Sequence, residues 1–119
     1  MTATVTTQAD IRSRAASMLG RLRLGQSLDD VLDTRLQKAY NEVYLDLKDD
    51  QIVTWAQAAD LPSAMVPHVV ALMAFNCTTD IGVSDDRYQR IVNARNIAKR
   101  EIRRLSTPQY EAVDKNEDY

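Results

Sequence analysis

One histidine and one cysteine are the chain's whole supply of imidazole and thiol groups. His68 follows Pro67 at the start of an expected helix. To act as a base it would need a nucleophile or an orienting carboxylate at a suitable spacing, and the sequence offers neither. Cys77 lies in the apolar run VVALMAFNC, with no neighbouring His or Cys, and reads as a small core residue. A metal site would need two or more such ligands at loop or helix spacing. Gly20, Gly25 and Gly82 are isolated, so no glycine-rich loop is present to cradle a phosphate. The acid pairs Asp29/Asp30, Asp49/Asp50 and Asp85/Asp86 fall at expected helix ends, where capping and dipole effects account for them. The expectation is a protein that is not an enzyme, with no catalytic, cofactor-binding or metal-ligating residues.

The informative chemistry is charge placement. The 119 residues carry a net charge of −2, but the charge is segregated. Residues 86–105 hold seven Arg or Lys against two acids, a net of +5. Residues 27–60 hold eight acids against three bases, a net of −5. Two solvated faces would explain this. So would a DNA-binding last helix, although Gln89, Asn93 and Asn96 are scattered and Asp85 and Asp86 would repel phosphate at its first turn. A third reading is self-association, in which the basic face of one copy meets the acidic face of the next and the contacts close into a ring.

These charges need elements to carry them. Apolar residues make up 45 % of the chain, and there are only three Gly and three Pro, a composition that favours one small all-α domain. No apolar run is long enough to cross a membrane, and no signal peptide is evident. With one cysteine, a reducing compartment is the default. Residues 1–7 are Thr-rich and read as an N-terminal arm, mobile or docking. A first helix is expected over 8–23, capped by Thr7, with Ile11, Ala15, Met18, Leu19 and Leu22 inward and Gly25 as its stop. A second is expected over 28–48, capped by Ser27. Leu28, Val31, Leu32, Leu36, Ala39, Tyr40, Val43 and Leu47 would form its buried stripe. A short helical turn around 52–59 would point Ile52 and Trp55 inward, and Leu61-Pro62 would break it. The third helix should start near 64–67, run to about 80 and be buried on nearly every side. Ser84 should cap a fourth that ends near 105, with Tyr88, Ile91, Ala94, Ala98, Ile102 and Leu105 inward. The fold class is therefore a small bundle of about four helices over 8–105, followed by a polar, acidic C-terminal tail at 106–119.

In order, length and pattern, residues 9–107 resemble the head–tail connector proteins of tailed bacteriophages, also called head-completion or adaptor proteins. The stretches that carry the likeness are IRSRAASMLG, SLDDVLDTRLQKAYNEVYLDL, the IVTW…LP break, VVALMAFNCTTDIGV and RYQRIVNARNIAKREIRRLS. The resemblance implies a non-enzymatic virion structural protein, made in the host cytoplasm and placed at the neck. It implies a twelve-fold homo-oligomeric ring below the portal, extending the DNA channel and meeting the tail or a stopper or terminator protein. It also implies that the C-terminal tail reaches the portal, and Pro108, Tyr110, Val113 and Tyr119 are the expected docking residues. Between subunits, Asp33, Glu42 and Asp46 are expected to pair with Arg95, Arg100 and Arg103. Non-specific contact with packaged DNA in the channel would use phosphates alone. The alternative is a small helical DNA-binding regulator.

Overall fold

A computed structural model describes residues 5–22, 26–53 and 55–106. Among them, four α-helices run in the order α1 (Gln8–Met18), α2 (Asp30–Asp49), α3 (Val66–Cys77) and α4 (Asp85–Ser106). Two-residue strands, β1 (Val5–Thr6) and β2 (Leu61–Pro62), pair antiparallel, Val5 opposite Pro62 and Thr6 opposite Leu61. A 3₁₀ turn, Ser63–Met65, leads into α3. The chain is an all-α bundle, as its composition and periodicity require.

α3 is the central rod. Val66, Val69, Val70, Ala71, Met73, Ala74 and Cys77 are all buried, and α1, α2 and α4 pack around it. Its Pro67 sits in the first turn, where a missing N–H costs no helical bond. Leu36, Ala39, Tyr40, Val43 and Leu47 of α2 and Ile91, Ala98 and Ile102 of α4 complete the core, and Ile11, Ala15 and Leu19 cover its remaining side.

Several boundaries and faces differ from the sequence expectation. α1 stops at Met18 because Gly20 adopts φ +77°, which lets Arg21 N–H reach Ala16 O and Gly20 N–H reach Ser17 O. Glycine takes that left-handed conformation without steric penalty. The cap of α2 is Asp29, whose Oδ1 accepts from Leu32 N–H at 2.8 Å, so Ser27 lies outside the helix. α3 ends at Cys77 rather than near 80. The 52–59 stretch is irregular where described, yet Ile52 and Trp55 are buried as expected. Val31 is 83 % exposed and Tyr88 is 42 % exposed, because each lies in the first turn of its helix, with too little neighbouring structure to cover it. The described part of the expected N-terminal arm joins the domain: Val5 and Thr6 form β1, which pairs with β2, and Thr7 caps α1 by accepting from Asp10 N–H. The Ser84 cap stands, its Oγ accepting from Arg87 N–H at 3.2 Å.

Candidate interaction surface

α2 and α4 flank α3 and run the same way, so their C-terminal ends lie together. Asp49 and Asp50 fall at the C-terminal end of α2, where the helix dipole disfavours an acid. The compensation comes from α4. Lys99 Nζ stands 2.6 Å from Asp50 and 3.2 Å from Asp46, clasping the two helices. This contact holds the Asp50 carboxyl below its usual range and raises Lys99. At the same end Ser106 Oγ donates to Ile52 O at 2.7 Å and fixes where α4 finishes.

The opposite end of α2 is tied to α3. Arg35 donates to both carboxylate oxygens of Asp80, at 2.8 and 2.9 Å, and to Asn76 O at 3.0 Å. The Arg35 Nη1 is buried with no hydrogen-bond partner among the described residues. The guanidinium holds the Asp80 carboxyl below its ordinary value. A depressed carboxylate contributes stability that is present above its unfolded pKa and lost as pH falls through the folded one. Asp80→Asn should therefore lower stability at neutral pH by about 0.5–1 kcal/mol, the upper part of the range for half-exposed pairs. The gap to the unsubstituted protein should narrow below about pH 4. Urea midpoints at pH 7 and pH 3 check this, and an unchanged gap would remove Asp80 from the acid response.

The residues singled out from the sequence lie along α2 and α4, within and around these two ties. Two of the three acids already have partners inside the subunit. Asp33 receives Arg12 Nε at 2.6 Å, and the same guanidinium donates to Gln37 at 2.7 Å. Asp46 is held by Lys99. Glu42 is exposed and makes no salt bridge among the described residues, although its charge helps raise Arg35 behind the larger effect of Asp80. Among the bases, Arg95 lies over the Phe75 ring at 4.2 Å and also bonds Asn96, so it covers the edge of the core. Arg103 adds to the positive field that lowers Asp50. Arg100 is exposed and makes no salt bridge among the described residues; Glu101 is lowered chiefly by its hydrogen bond from Arg104, and the charge of Arg100 adds to this. Pro108, Tyr110, Val113 and Tyr119 lie outside the described residues.

No family model, curated protein or solved structure matches this chain.

The other candidates for chemistry are dispersed. Cys77 is fully buried, and burial pushes its thiol pKa up, away from the thiolate that reacts. His68 is half-buried in the first turn of α3. No group of three or more His, Cys, Asp or Glu side chains converges among the described residues, and no described helix is long and apolar enough to cross a membrane. The surface instead presents large apolar side chains among charges. Val31 and Leu45 are exposed on α2, and Tyr88 and Ile97 on α4. Sequence periodicity did not single out Leu45 or Ile97. Both lie on polar faces, where one apolar residue among charges is the only signal.

Proposed function

We propose that the protein is a virion structural protein, a head-to-tail connector whose copies form a ring below the portal and join the tail to the capsid. The observation that carries this reading is the outward placement of opposite charges on two helices of one small bundle. Glu42 on α2 and Arg100 on α4 make no salt bridge among the described residues, and each stands in a face that also exposes an apolar residue, Leu45 or Ile97. A subunit with two such faces can meet its neighbour head to tail, and such contacts close when the rotation allows. The order of the helices, with the basic one last, accords with the connector pattern. In this reading Glu42 meets Arg100 of the adjoining copy, while Arg95 and Arg103 lie at the margin of the contact. The intrachain partners of Asp33 and Asp46 make these two acids supports of the α2 face. Single exposed pairs contribute only about 0.2–1 kcal/mol, so the ring depends on repetition and on the portal as a template. Residues 106–119, with Tyr110 and Val113 as anchors, attach the ring to the portal.

Labelling purified particles with an antibody to the chain should place it at the neck. Deleting residues 107–119 should leave a folded helical domain that no longer attaches to heads. Label spread over the capsid or absent from particles would reject the connector. A salt-dependent shift of duplex DNA at micromolar protein would move the assignment to a DNA-binding regulator using α4.

A further inference from the structure

We propose that the outward face of α4 is a docking surface for the chain's own C-terminal segment, residues 107–119, which covers this basic face in the free subunit. The face is a single stripe. Arg90, Asn93, Ile97, Arg100 and Arg104 recur at three and four residues, and all are exposed. Ile97, 45 % exposed, sits at its middle. Glu101 neutralises Arg104 at 2.7 Å, but Arg90 and Arg100 make no salt bridge among the described residues. A basic stripe with an apolar centre fits an acidic segment with an apolar anchor. The sequence that follows α4 has that composition. Glu111, Asp114, Glu117 and Asp118 against Lys115 give it a net charge of −3, and Tyr110 and Val113 lie among them.

Reach agrees with composition. The Ser106–Ile52 hydrogen bond fixes the point from which the segment departs. Ile97 lies nine residues before Ser106, about 13 Å back along the helix axis. Val113 is five residues past Pro108, a span of about 16 Å when extended. The span therefore suffices for Val113 to reach Ile97. Covalent attachment gives an effective concentration on the order of millimolar, so weak ion pairs suffice. If the connector reading holds, a portal that captures the segment would also uncover the face that the next subunit needs. The contact itself requires neither portal nor second copy, so it stands or falls apart from that reading.

The test is nuclear magnetic resonance of the ¹³C,¹⁵N-labelled 119-residue chain at low ionic strength. Amide signals of residues 111–117 should shift in Arg90→Glu/Arg100→Glu. They should shift the same way when salt is raised to about 0.5 M, where the screening length falls to about 4 Å. Val113→Ser, which leaves the helical domain untouched, should move the Ile97 methyl signals and leave those of Ile91 and Ile102 in place. All of these shifts should persist on tenfold dilution. Tail amides indifferent to both the charge reversal and salt would overturn the proposal. So would shifts that fade on dilution, since the occupant would then be a second copy.

Discussion

Trp55→Ala is expected to cost about 3–5 kcal/mol, as buried aromatic truncations do. That is a third or more of the 5–15 kcal/mol typical of a domain. Trp55 lies in a stretch with no helix or strand to hold it, yet its side chain is 8 % exposed. What orders it is a ring of contacts with α2. The Tyr44 ring meets it nearly edge-on at 6.1 Å, a favoured aromatic geometry. Trp55 Nε1 donates to Tyr40 Oη at 3.0 Å, and Tyr40 Oη in turn donates to Gln57 O at 3.0 Å. Tyr44 Oη donates to Trp55 O at 2.8 Å. Truncation removes the largest side chain of the cluster and strands the Tyr40 hydroxyl as well. Tyr40→Phe keeps the volume but leaves Trp55 Nε1 and Gln57 O without their partner, for about 1–3 kcal/mol. Chemical denaturation should rank Trp55→Ala well above Tyr40→Phe. Equal, small losses would mean that the segment between α2 and β2 contributes little to the domain.

Trp55 also marks how far the sequence can be read. Its inward direction was legible, because a lone tryptophan beside Ile52 has few other places to go. The short helical turn expected over 52–59 is confined to 56–59, where Ala59 N–H donates to Ala56 O at 3.0 Å, while hydrogen bonds from Tyr40 and Tyr44 hold Trp55 and Gln57 by their carbonyls, which propensity cannot anticipate. The four helices were legible from repeats at three and four residues, because burial against a common core imposes that spacing. The repeat overreached at Val31 and Tyr88, where the pattern continues into a first turn with little above it. Ion pairs divide the same way. Asp10–Arg14 and Glu101–Arg104 follow helical spacing and are readable along the chain. Arg12–Asp33, Arg35–Asp80 and Lys99–Asp46 join positions 21, 45 and 53 residues apart, and only the packing of helices brings them together. That is why charge totals identified the two opposed segments but could not say which charges each subunit had already used.

If the chain forms the proposed ring, exchanging the charges of Glu42 and Arg100 is expected to break assembly in each single variant and to restore it in the pair. These two suit the experiment because neither makes a salt bridge among the described residues; Glu42 does feel the charge of Arg35 and Arg100 that of Glu101, so chemical denaturation of each single variant must first show that the subunit stays folded. Asp33 or Asp46 would be a poor choice, since reversal there would repel Arg12 or Lys99 within the bundle. In Glu42→Arg or Arg100→Glu, an attraction of about 0.2–1 kcal/mol becomes a repulsion of similar size. The change of about 0.4–2 kcal/mol would recur at every interface of the ring, and each 1.4 kcal/mol is tenfold in an equilibrium. Copies per particle, counted by gel densitometry of purified heads, should fall more than tenfold in either single variant. In Glu42→Arg/Arg100→Glu every interface regains an opposite pair with its polarity exchanged, and the count should return to within a few-fold of the original. A double variant no better than the singles would mean that the α2 and α4 faces do not meet. Harmless single variants would place both residues outside the contact, and the opposed charges would then be two solvated faces.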